Sequence, residues 1–141
     1  MAHWLVKSEP DVYSFADLQR DGGSEWHGIR NYQARNNMRA MTVGDRVFFY
    51  HSNIGLEIVG IAEVTAPSHP DSTSDDPRWD CVDIRAVAAM PRPVTRDACK
   101  LNPALANMVL VVNTRLSVQP VSDAEWAEIC RMGGLTGPDA A

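Results

Sequence analysis

The chain has 141 residues, 45% of them apolar and 22% charged, with a formal net charge of −5. That length corresponds to one domain, and this balance of apolar to charged residues excludes global disorder. The negative total excludes a protein that coats nucleic acid by charge alone, since such domains are basic.

Any nucleic-acid function must therefore rest on a local site, and the charge distribution permits one. Residues 30–46 carry Arg30, Arg35, Arg39 and Arg46 against Asp45 alone, whereas residues 54–76 carry Glu57, Glu63, Asp71, Asp75 and Asp76 with no Lys or Arg. A chain of this size buries ~70% of its unfolded surface, enough for one core and not two. Cys81, Cys99 and Cys130 are odd in number and widely spaced, without a C-x-x-C pair. They fit buried free thiols in a reducing compartment and no zinc motif. The N-terminus lacks the charged and apolar regions of a signal peptide, and the longest apolar run, Met108 to Val112, is far short of the ~20 residues of a membrane span. The expectation is a cytoplasmic protein (nuclear if eukaryotic) with no membrane partner, a monomer rather than an obligate oligomer.

In chain order, residues 3–7 read as a first strand stopped by Ser8-Glu9-Pro10. Ser14 caps a short helix from Phe15, and Gly22-Gly23 ends it. Asn31 caps a helix over Tyr32–Met41, with Ala34, Met38 and Met41 on one stripe and Arg35 and Arg39 on another face. Arg46–His51 is β-branched and aromatic, a strand signal, and Glu57–Thr65 is the next strand, in which Gly60 marks a bulge or a close backbone approach. Pro67–Pro77 reads as a loop and Trp79–Ala88 alternates as a strand. Thr95 caps a short helix through Leu101. Asn107–Asn113 fits either a buried strand or a helix end. Leu116–Gln119 reads as a last strand, and Ser122-x-x-Glu125 is a capping box opening a helix to about Met132. Gly133-Gly134 stops that helix, so residues 1–135 form the domain and 136–141 a flexible tail. Five or six short strands with four short helices at the margins favour an α+β fold, a small mixed or antiparallel barrel.

The catalytic signatures are missing. There is no G-x-S-x-G elbow, no Cys/His nucleophile motif, no H-E-x-x-H spacing and no phosphate-cradling glycine loop. No cofactor, metal or catalytic residue is expected; an enzyme acting on modified nucleic acid, with His51 or Glu9 as acid–base group, ranks last. Three segments instead suit binding. Trp26-His27-Gly28-Ile29-Arg30-Asn31 is a loop delivering side chains into a helix N-terminus. Reading a flipped base takes a flat face and a few edge donors and acceptors. Trp26 offers the face, Asn31 the paired amide, and Arg30 a grip on phosphate or base edge. Against this stands the reading of Trp26 as core and Arg30 as a surface ion-pair residue. Tyr50-His51-Ser52-Asn53 and Lys7-Ser8-Glu9-Pro10 end strands, where scaffolds present ligand contacts, although each also suits a simple turn.

Taken together, Trp4-Leu5-Val6-Lys7-Ser8-Glu9-Pro10, Trp26-x-Gly28-x-Arg30-Asn31-x-x-Ala34-Arg35, Met41-x-x-Gly44-Asp45, Phe49-Tyr50-His51-Ser52 and the later Pro77-x-Trp79-x-x-Val82-Asp83, Asn107–Leu110 and Arg115–Val121 resemble the EVE domain of the PUA-like superfamily. The resemblance covers about residues 3–132. It implies a small pseudo-barrel with flanking helices and non-catalytic binding of modified cytosine or adenine in DNA or RNA. It further implies a base pocket of Lys7, Ser8, Trp26, Arg30, Asn31, Tyr50, His51 and Ser52, with Arg35, Arg39 and Arg115 at the rim or on phosphates. The alternative of a different class is a sensor that takes a small molecule or nucleotide derivative in the same pocket.

Overall fold

The computed structural model describes residues 1–141. Six strands form one mixed sheet: β1 (His3–Ser8), β2 (Ser24–Glu25), β3 (Arg46–His51), β4 (Glu57–Pro70), β5 (Asp80–Thr95) and β6 (Val118–Val121). Their order is β2-β5-β4-β3-β1-β6. Only β1 and β3 run parallel, joined by a crossover that carries α1 (Phe15–Asp21), β2 and α2 (Tyr32–Ala40). The other helices, α3 (Arg96–Leu101), the single turn α4 (Val109–Val112) and α5 (Asp123–Gly133), follow β5. No helix is long and apolar enough to cross a membrane.

The caps that start these helices are local chemistry. The side chains of Ser14, Asn31, Thr95 and Ser122 each accept from the backbone N–H three residues on, and at Ser14 and Ser122 a carboxylate bonds back to complete a capping box. Alternation along the strands then sorts side chains to two faces. Trp4, Val6, Val47 and Phe49 point to one side, where α1 and α2 add Phe15, Leu18, Ala34 and Met38 in a cluster of 16 buried residues. Leu5, Phe48 and Tyr50 point to the other, where 15 residues gather around Trp126 and Ile129 of α5. The expected single core is thus divided by the sheet. This is why β3 reads as a continuous apolar run: it is buried on both faces. Trp126 is stacked on Phe48 at 3.8 Å and on His3 at 4.3 Å.

Several boundaries differ from the sequence expectation. β4 continues through Pro70 and β5 through Thr95, so the first four residues of the expected Pro67–Pro77 loop and the residues after Ala88 are strand. The two pair through register shifts at four points, and such irregularities let long strands bend around a small core. Gly60 sits at one of them and also meets Phe15, whose ring occupies the space of a Cβ. Asn107–Asn113 resolves as the turn α4, and the last strand lies two residues later than expected. Residues 136–141, expected as a tail, contain a 3-10 turn whose Ala140 carbonyl accepts from Trp126 Nε1 at 3.0 Å.

Candidate functional site

A cavity of about 300 Å³ opens where the C-terminal end of β1 faces β2. That volume lies at the lower limit of the ~300–1,000 Å³ typical of small-ligand pockets. Lys7 and Ser8 come from β1, Val12 and Tyr13 from the following turn, Ser24 and Glu25 from β2, and Trp26, His27 and Ile29 from the loop that leads to α2. Three of the eight residues expected in the pocket are here: Lys7, Ser8 and Trp26.

Trp26 satisfies both readings of it. It is only 7% exposed and belongs to the core cluster under α1 and α2, packed edge-on against Phe49 at 5.5 Å and Tyr13 at 6.4 Å. Its remaining surface is cavity wall. Such packing makes a rigid apolar face. Ser8 Oγ donates to the Tyr13 carbonyl at 2.6 Å, so its free lone pairs are acceptors toward the cavity. Tyr13 in turn donates its hydroxyl to Asp21 at 2.8 Å. Lys7 borders the cavity from β1 but sends its side chain to the Tyr50 side of the sheet, where Nζ donates to the Thr114 carbonyl and lies 5.6 Å from the Tyr50 ring centroid. Burial, helped by the nearby Arg96 charge, brings the Lys7 ammonium down to about 8.

The other expected pocket residues lie elsewhere. Tyr50, 2% exposed, faces the second core cluster on the opposite side of the sheet. His51 Nε2 accepts from the Phe15 amide at 3.1 Å, fastening the start of α1, and burial pushes the imidazole below its ordinary value against the opposing effect of Glu57. Ser52 donates its backbone N–H to the Ser8 carbonyl and so extends the β1–β3 pairing. Asn31 spends its side-chain oxygen on the Ala34 amide as the α2 cap. Arg30 turns away from the cavity to Asp71 at 2.9 Å and lies over the Trp79 ring. Of the rim arginines, Arg39 pairs with Asp80, Arg35 lies over Tyr32 and donates to the Arg78 carbonyl, and Arg115 is exposed. Arg35 is the one member of the α2 pair without a carboxylate partner.

The residue that positions this loop went unrecognised. Asp71 lies in the acidic segment 54–76, yet its side chain is fully buried. It accepts from the Gly28 amide, from Arg30, and from the Thr73 amide and hydroxyl at 2.6–2.9 Å. Burial alone would raise its pKa; these donors outweigh that and hold the carboxyl far below the ordinary range. Thr73 is a local partner, but the Gly28 amide and Arg30 that give Asp71 its hold on the loop lie 43 and 41 positions away, so no local signal marks that role. His27 and Ile29, by contrast, lie inside the singled-out loop motif, and Tyr13 follows the β1 end that was singled out beside it.

Residues 2–132 match the EVE domain family. The chain is an EVE domain. It is 34% identical to human thymocyte nuclear protein 1 over 89% of its own length and 71% of that protein. A solved protein from Agrobacterium tumefaciens superposes on this EVE domain with a TM-score of 0.96 at 58% identity, covering 99% of this chain and 97% of that one. Human THYN1, solved in complex with 5-methylcytosine-containing DNA, superposes with a TM-score of 0.89 at 32% identity, covering 97% and 100%. The YTH domain of Zygosaccharomyces rouxii MRB1 shares the fold alone, with a TM-score of 0.58 at 18% identity over 94% of this chain and 86% of that one. The architecture is the PUA-like α+β fold.

Proposed function

We propose that this EVE domain reads a modified base in DNA or RNA and does no chemistry on it. The observation that carries the reading is the cavity at Trp26: a rigid indole edge and the Tyr13 ring beside the polar groups of Ser8, Ser24, Glu25 and His27. A flipped base needs that combination of an apolar wall and edge donors and acceptors. The superposition over 97% of this chain with human THYN1, a protein solved on 5-methylcytosine-containing DNA, supports the same reading. In it, Trp26 packs on the base, Ser8 bonds its edge, and Lys7, Arg35 and Arg115 meet the backbone.

A second reading has its own support. The net charge of −5 and the Glu25 carboxylate in the cavity wall suit a free nucleoside or other small ligand better than a polyanion. One binding screen separates the two. Single- and double-stranded DNA and RNA oligonucleotides are compared with and without a central methyl-, hydroxymethyl- or carboxylcytosine or methyladenine, at one stated salt concentration, beside the free nucleosides. The reader predicts a preference of roughly tenfold or more for one modified base, reduced on Trp26→Ala by the ~1–3 kcal/mol that stacking contributes. Trp26→Phe controls for packing, because removing a buried Trp also costs about 3–5 kcal/mol of stability. Equal affinity for the nucleoside alone transfers the conclusion to a small-molecule sensor.

A further inference from the structure

A separate set of donor atoms gathers where β2, β5 and β4 meet. The antiparallel register puts Glu25 opposite Asp83 and His69 opposite Cys81. Cys81 and Asp83 alternate with Val82 and Ile84, which belong to the core under α1 and α2, so this pair faces away from that core. The cross-strand pairs therefore bring Glu25, His69, Cys81 and Asp83 onto one patch of the sheet. One ligand-type atom each from Glu25, His69 and Cys81 falls within 4.8 Å of the other two.

The Cys81–His69 spacing is that of a metal site. An ion bound tetrahedrally at ~2.0–2.3 Å holds its ligand atoms roughly 3.3–3.8 Å apart. Cys81 Sγ lies 3.7 Å from His69 Nδ1 and 3.8 Å from Nε2. His69 Nε2 is also 2.9 Å from the Asp83 carboxylate and Nδ1 lies 3.2 Å from the Pro70 carbonyl, so Nδ1 ligates by exchanging that backbone contact for the ion. A carboxylate on the far nitrogen is how proteins orient a metal-bound imidazole. Glu25 is held in place by the Ser72 amide and hydroxyl at 3.1 and 2.6 Å. The carboxylates of Glu25 and Asp83 at this patch supply negative charge that favours a dication.

We propose that Glu25, His69 and Cys81 form a three-ligand site for a transition-metal dication of the zinc class, with Asp83 orienting the imidazole. The mixed sulfur, nitrogen and oxygen donors select zinc-like ions over magnesium or calcium, which take oxygen ligands. Three protein ligands leave a fourth position for water or an incoming group. The ion ties the two-residue strand β2 to the long β4–β5 pair. It also touches the cavity through Glu25, which lines both.

The test is a titration of the metal-stripped full chain with Co²⁺, followed by absorption. Binding of one equivalent gives a thiolate-to-cobalt band in the near ultraviolet together with tetrahedral visible bands, and Zn²⁺ abolishes both. Cys81→Ser removes the thiolate band, His69→Gln and Asp83→Asn each weaken binding roughly tenfold or more, and Cys99→Ser changes nothing. His69 is partly exposed, so its variant keeps the fold, as circular dichroism verifies. Wild-type protein without a cobalt thiolate band overturns the site, as does a band that survives Cys81→Ser.

Discussion

Asp71 and Arg30 form an ion pair at 2.9 Å in which the carboxylate has no exposed surface, locking the loop that delivers Trp26 to the far end of the β4–β5 pair. The Gly28 amide completes the lock from a residue at φ +85°, a conformation that glycine adopts without strain.

Removing this carboxylate is expected to loosen the loop and the domain together. Asp71→Ala leaves the Gly28 and Thr73 amides and Arg30 without their acceptor, and losses of this kind cost about 3 kcal/mol. Urea unfolding measures the drop, and proteolysis locates it if cleavage moves to residues 26–30. The pH sign follows from the depressed pKa: the stabilisation is complete above the ordinary Asp value of 3.8 and is lost only as pH falls through the much lower folded value. Wild type therefore retains the clamp at pH 4, and unchanged stability in Asp71→Ala at that pH contradicts the assignment.

Gly60→Ala is expected to destabilise through Phe15. A Cβ at position 60 overlaps the Phe15 ring, which is itself held edge-on against Phe49 at 5.4 Å. Overpacking of this kind costs ~1–3 kcal/mol. Combining Gly60→Ala with Phe15→Leu returns part of that loss, and a double-mutant cycle reads the coupling. Additive losses place the cause elsewhere in the bulge.

Acidification is expected to weaken the domain through His51. Its Nε2 must stay unprotonated to accept from the Phe15 amide, and burial lowers its folded pKa below the ordinary 6.5. The unfolded chain then binds the proton more readily, so stability falls as pH drops through the window below 6.5. Thermal unfolding of wild type and His51→Gln between pH 7.5 and 5 checks this; the variant starts lower and has the shallower slope. Parallel slopes exclude His51 as the source.

Lys7 gives the binding reaction a pH dependence of opposite sense. With its ammonium lowered to about 8, it is charged at pH 7 and largely neutral at pH 9. If it meets a phosphate, affinity for an oligonucleotide decreases across that interval and the salt dependence becomes less steep. Lys7→Met binds more weakly at pH 7 and shows neither change. A wild-type affinity that is flat from pH 7 to 9 removes Lys7 from the backbone contacts.

Much of this molecule is determined locally and was legible as such. The four helix caps and the strand at Arg46–His51 depend on residues within a few positions of one another, and Gly60 marked a close approach by its residue type, although the Phe15 ring it meets comes from a distant helix. Period-two alternation even separates Tyr50 from His51, since neighbouring strand residues face opposite sides, although grouping the Tyr50–Ser52 segment as one site obscured it. What only the tertiary structure decided is pairing. β2 exists because two residues find β5, β4 reaches Pro70 because β5 lies beside it, and Arg30 leaves the cavity because a buried carboxylate lies 41 positions away. The physical reason is desolvation. A buried charge or an unpaired backbone amide is costly until a partner arrives, and which distant residue arrives is settled by the packed fold rather than by local sequence.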